Sequence, residues 1–291
     1  MFEGFEQKRI AASGTEINLV IGGDGPPVLL LHGYPETHVM WHKMAATLAE
    51  RYTVVATDLR GYGDSDKPPS GEDHSGYSKR AMAQDQVEVM RALGFDRFSV
   101  VGHDRGARVG HRLARDHRDA VERLAVLDVC PTLHMYMSTD MDFATAYYHW
   151  FFLIQPFDFP ERMIGADPEF YLRRKFKFIA NAETAITDEA WAEYIRCFSD
   201  PATIHATCED YRAAATIDLE HDRADFDQGM SVPVLALWGK LGVIERSYDP
   251  LAVWREHTSG PVTGKSLPCG HFIPEEAPLE ALAELLPFLS G

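Results

Sequence analysis

The segment Gly102-His103-Asp104-Arg105-Gly106 follows directly on Phe98-Ser99-Val100-Val101, a short run that reads as a buried strand. It has the form of a nucleophile elbow, G-x-S-x-G, with aspartate where serine is expected. That exchange redirects the chemistry. A serine that attacks a saturated carbon ends as an ether, which water does not readily cleave. A carboxylate that attacks the same carbon ends as an ester, whose carbonyl can then be hydrolysed. The carboxylate is already ionised near neutral pH, so the first step needs no general base. An elbow aspartate therefore points to displacement at an sp3 carbon, with a halide or an epoxide oxygen leaving.

Around the elbow the chain alternates strands and helices. Glu16 to Ile21, Val28 to Leu31, Tyr52 to Ala56, Phe98 to Val101 and Leu124 to Leu127 read as strands. Helical spacing runs through Trp41, Met44, Ala45 and Leu48, through Lys79 to Leu93, and through Arg105 to Asp116. This pattern predicts a mostly parallel, doubly wound α/β sheet. From about Pro131 to Met230 no convincing buried strand occurs. Aromatic, helix-spaced stretches occur instead, namely Ala144 to Leu153, Phe170 to Ile179 and Glu189 to Phe198. The expected organisation is an α/β core over residues 1–130 and 231–291, with a helical cap inserted over 131–230. Alternation resumes at Val232 to Gly239, and a helix from Pro278 to Leu289 ends the chain. With 291 residues, 45% of them hydrophobic, there is ample material for one large domain carrying such an insertion.

The chain carries 28 basic and 44 acidic residues, a net charge of −16. Neither nucleic acid nor an anionic membrane is expected as a partner. An anionic substrate would need local positive groups to overcome that background. No leader-like segment opens the sequence, and no apolar run nears the roughly 20 residues that span a bilayer. The four cysteines (Cys130, Cys197, Cys208 and Cys269) lack metal-binding spacing. Free thiols in a cytoplasmic enzyme without metal or cofactor are the expectation.

An aspartyl ester needs a base to activate water, an acid to orient that base, and donors for an oxyanion. The elbow resembles that of the α/β-hydrolase superfamily, in which nucleophile, acid and histidine follow in that order. His271, in Gly270-His271-Phe272, is the late histidine in a strand-loop context, whereas His257 falls in an expected helix over Leu251 to His257. The usual acid position after Leu235 to Trp238 reads Gly239-Lys240-Leu241-Gly242-Val243, without a carboxylate. Asp128 directly ends the Leu124 to Leu127 strand, at the functional edge of such a sheet, and is taken as the acid, with Asp249 as fallback. His32-Gly33-Tyr34-Pro35 resembles the superfamily's H-G-x-P loop. The backbone amides of Tyr34 and Arg105 are the expected oxyanion donors. Asp58 to Ser65 reads as structural, and His103 as a support of the elbow.

Arg105 and Arg108 stand three apart on the first turn of the elbow helix and can share a face. Together they suit a planar anion, most simply a carboxylate held by paired hydrogen bonds. The bland alternative is that they neutralise Asp104 or form ion pairs elsewhere.

Gly102 to Arg108, Leu127-Asp128, Tyr148-His149-Trp150, Asp210-Tyr211-Arg212 and Gly270-His271-Phe272 together resemble the fluoroacetate dehalogenases of the α/β-hydrolase superfamily, over nearly the whole chain. The resemblance implies Asp104 as nucleophile, His271 as base and Asp128 as acid. It implies Arg105 and Arg108 as binders of the haloacetate carboxylate, and His149, Trp150 and Tyr211 as donors to the departing halide. It also implies a homodimer packed through the cap. The expected reaction converts a 2-haloacetate to glycolate and halide. The alternatives are an epoxide hydrolase, with Tyr211 and either Tyr147 or Tyr148 activating the epoxide oxygen, and a dehalogenase that prefers chloroacetate.

Overall fold

A computed structural model describes residues 1–179 and 184–291. Eight strands build one sheet: β1 (Glu6–Ala12), β2 (Thr15–Gly22), β3 (Pro27–Leu31), β4 (Thr53–Thr57), β5 (Phe98–His103), β6 (Val121–Leu127), β7 (Val234–Gly239) and β8 (Val262–Leu267). Their spatial order is β1-β2-β4-β3-β5-β6-β7-β8. β2 runs antiparallel to β1 and β4, and the remaining pairs are parallel. This is the mostly parallel α/β sheet that the alternating pattern predicts, with the α/β-hydrolase fold that the motif resemblance implies as the expectation to be tested.

The central strands are apolar without alternation because both faces are covered. Every residue of β5 is buried, as are Val28 to Leu31 of β3. Helices Lys79–Ala92 and Arg105–Asp116 pack on each other, as do His42–Ala49 and Pro278–Ser290. β1 escapes a sequence reading because it is a charged edge strand, Glu-Gln-Lys-Arg-Ile-Ala-Ala, with only partial burial. Charge on an exposed edge discourages pairing with another chain.

Between β6 and β7 the described elements are helices, from Thr132–Met137 to Ile217–Ala224. The helix expected over Ala144 to Leu153 is two helices, Met141–Ala146 and Tyr148–Leu153, broken at Tyr147. Tyr147, His149 and Trp150 are all buried. On one straight helix, positions i and i+2 point in nearly opposite directions. The break lets all three face inward. Among the described residues no helix is long and apolar enough to cross a membrane.

Candidate active site

The carboxyl ends of the parallel strands converge on one buried space. Tyr34 follows β3, Asp104 follows β5, Asp128 follows β6 and His271 follows β8. That edge is where open α/β sheets place their ligands.

Asp104 sits at the elbow with φ 43° and ψ −110°, a backbone state that costs a non-glycine residue about 1–3 kcal/mol. Surrounding glycines make the turn possible. A Cβ on Gly106 would lie 2.3 Å from the Leu31 carbonyl oxygen, and one on Gly102 would lie 2.6 Å from the Ala107 backbone. The strained turn leaves the Asp104 carboxylate at the N-terminus of helix Arg105–Asp116, where the helix dipole favours negative charge. Oδ2 accepts the Tyr34 amide at 3.2 Å, and Oδ1 lies 4.0 Å from Arg108 Nε. Burial alone would raise the Asp104 pKa. The charge of His271 when it is protonated, together with those of Arg108 and Arg105, outweighs it and holds the carboxyl below its ordinary value.

His271 Nδ1 stands 2.6 Å from Asp128 Oδ2. Asp128 Oδ1 accepts the Gly239 amide at 2.9 Å. A carboxylate only accepts, so Nδ1 carries the proton and Nε2 is left as the basic nitrogen. His103 Nε2 donates to the His271 carbonyl at 2.8 Å, which ties the strand before the elbow to the His271 loop. Burial pushes the His103 pKa down to about 3, so its ring is neutral at pH 7. The other candidates are placed elsewhere. Asp249 caps helix Pro250–Arg255 through the Ala252 amide at 3.0 Å. His257 packs against His111 and Trp254.

Arg105 is fully buried, and its fork is already engaged. Nε donates to Asp210 Oδ2 at 2.9 Å, and Nη2 donates to the Asp210 backbone oxygen at 2.9 Å and to Oδ1 at 2.5 Å. Asp210 also accepts the Tyr62 hydroxyl at 2.6 Å and pairs with Lys79. Arg108 is held by the Cys130 carbonyl at 3.2 Å, Thr132 Oγ1 at 3.0 Å and Met135 Sδ at 3.3 Å. What remains is Arg105 Nη1 and Arg108 Nε, both buried and without a hydrogen-bond partner. Among the described residues each arginine therefore has one unpartnered nitrogen rather than an open fork.

The aromatic residues close the same space. The Arg105 guanidinium lies 4.2 Å from the Tyr211 ring centre, and that of Arg108 lies 4.7 Å from Trp150. Tyr34 contacts Tyr211 at 5.2 Å and stacks on His149 at 6.4 Å between ring centres. The Tyr211 hydroxyl and His149 Nδ1 are buried without partners. Burial and neighbouring cations drive the His149 pKa far down, so its ring is neutral. Arg212, third in the Asp-Tyr-Arg motif, faces away to Glu161 and Glu209, both at 2.7 Å. Two contributors lie beyond the sequence reading. Asp210 sets the Arg105 geometry, and Lys175 is a buried lysine of helix Pro168–Ile179.

Residues 26–278 match the alpha/beta hydrolase fold family. The chain is 46% identical over 291 residues to the fluoroacetate dehalogenase of Burkholderia sp., covering 100% of this chain and 95% of that one. It is 35% identical over 284 residues to the soluble epoxide hydrolase of Corynebacterium sp. (strain C12), covering 96% and 95%. Among solved structures, a Nostoc sp. PCC 7120 protein superposes with a TM-score of 0.98 at 62% identity, covering 100% of this chain and 99% of that chain.

Proposed function

The chain belongs to the alpha/beta hydrolase family and is a hydrolase, and within that family we propose that it cleaves the carbon–halogen bond of a 2-haloacetate, fluoroacetate foremost. The observation that carries this reading is the pair of unpartnered arginine N–H groups beside an elbow aspartate. They suit a substrate whose carboxylate is bonded directly to the carbon under attack.

In the first step an Asp104 oxygen attacks the α-carbon from the side opposite the halogen. The C–O bond forms as the carbon–halogen bond breaks, and the halide leaves with the bonding electrons. Fluoride departs only when its growing charge is stabilised. In this reading the Tyr211 hydroxyl, a His149 N–H and the Trp150 indole N–H donate to it, which the unpartnered Tyr211 hydroxyl and His149 ring nitrogen support. Donors that act on charge as it develops contribute roughly 2–4 kcal/mol each. In the second step His271 Nε2 takes a proton from water, which attacks the Asp104 carboxyl carbon. The Tyr34 amide, already on Asp104 Oδ2, and the Arg105 amide hold the oxyanion. Collapse leaves Asp104 as the carboxylic acid while His271 gives its proton to the departing glycolate oxygen, and loss of the Asp104 proton to solvent restores the carboxylate, so each turnover yields glycolate, halide and one proton.

The test is fluoride release from fluoroacetate, run beside chloroacetate and styrene oxide. Haloacetate turnover with no diol from styrene oxide is the expected result. Diol without halide would establish the epoxide reading, which draws support from the free Tyr211 hydroxyl and from the 35% identical relative. A cytoplasmic homodimer packed through the cap belongs to the same proposal. Phe157, Phe159, Met163 and Phe170 are exposed on that side of the sequence. Light scattering is expected to give twice the chain mass.

A further inference from the structure

Lys175 is only 4% exposed, yet its ammonium has no hydrogen bond or ion pair among the described residues. Its helix is anchored one turn earlier, where the Tyr171 hydroxyl accepts from the Tyr34 hydroxyl at 3.1 Å. That contact sets Lys175 Nζ 5.8 Å from the Tyr34 ring centre, on the ring that also carries His149 and Tyr211. Among the described residues the charge that acts on it is Asp104. Burial depresses its basicity well below the usual lysine range, and an anion brought beside it, as Asp104 already does from a distance, favours the charged form again.

The local charges show why an unpaired cation belongs here. Arg105 is balanced by Asp210. Lys79 shares Asp210 and has Asp218 at 3.7 Å. Arg108 faces Asp104. Asp128, beside His271, adds a further negative charge. A carboxylate entering between the arginines finds hydrogen bonds, but each arginine charge is already answered by an anion. Two carboxylates, nucleophile and substrate, must then share a buried space, which is costly without another positive charge. Among the described residues Lys175 has no anion bound to it, whereas Arg105, Arg108 and Lys79 each face one.

We infer that Lys175 is the counterion for the substrate's carboxylate, and so a specificity determinant that selects monoanionic over neutral substrates. The inference rests on the haloacetate reading. It deepens that reading, because the nucleophile becomes neutral on alkylation while the halide appears, so one ammonium serves a single net negative charge throughout the first step. A neutral epoxide would leave the ammonium unanswered.

The test is calorimetric titration with glycolate and with glycolamide, its uncharged analogue. Wild type is expected to prefer glycolate. Lys175→Met should bind glycolate about 30-fold more weakly or worse, the usual loss when one partner of a buried charge pair is removed. Its binding of glycolamide should be unchanged, which a merely structural role would not produce. Lys175→Arg should recover part of the loss. A folded Lys175→Met protein that keeps the wild-type preference, or a wild type without one, would overturn the inference. A wild type that prefers glycolate through Lys175 but releases no fluoride from fluoroacetate would overturn the dehalogenase reading alone.

Discussion

Asp104→Ala protein is expected to release no measurable fluoride from fluoroacetate and to form no covalent adduct. The loss should be on the order of 10⁶-fold, the scale seen when a covalent nucleophile is deleted from another hydrolase. Neither Asp128 nor Asp210 is free to substitute. Asp128 is occupied by His271 and Gly239, and Asp210 by Arg105, Tyr62 and Lys79. The substitution also leaves Arg108 Nε without its facing charge. Haloacetate should therefore still bind, and bind more tightly, because the like charge it must approach is gone. A fluoride electrode reads the first effect, and calorimetry with chloroacetate reads the second. Residual turnover within tenfold of wild type, in protein shown to be folded, would place the nucleophile elsewhere.

The parts of the site that were legible in the sequence are those tied to the sheet. Asp104, Asp128, Tyr34 and His271 each follow a strand directly or closely, so an alternating pattern locates them before any contact is known. What was not legible depends on contacts between distant segments. Arg105 reads as a fork open to substrate, because its partner Asp210 is far along the chain. Lys175 stands in Leu172-Arg173-Arg174-Lys175-Phe176-Lys177, where four basic residues look alike. The helical period does separate them. Leu172 and Phe176 are buried, Lys175 shares their face, and Arg173, Arg174 and Lys177 are exposed. A cation on an apolar helix face was the available signal. The break at Tyr147 had no such signal, since neither glycine nor proline marks it, and only the burial of Tyr147, His149 and Trp150 together accounts for it.

His271→Asn separates the two halves of the proposed reaction. The displacement needs Asp104, the arginine N–H groups and the halide donors, none of which passes through the His271 side chain. It should proceed. Hydrolysis of the ester needs a base, and asparagine can hydrogen-bond Asp128 without accepting a proton from water. The second step is expected to fall by a factor on the order of 10⁶, so the enzyme stops after one turnover. The peptide that contains Asp104 should gain the mass of a carboxymethyl group, and fluoride should appear as a burst equal to the enzyme present. Asp104 also loses its negative charge in the trapped ester, so the burst should not repeat when more substrate is added. The same variant judges the rival reading independently of rates. Styrene oxide would leave a heavier hydroxyalkyl ester on Asp104 with no halide released. An adduct from fluoroacetate and none from styrene oxide places the chemistry at a carbon–halogen bond, and the reverse pattern places it at an epoxide.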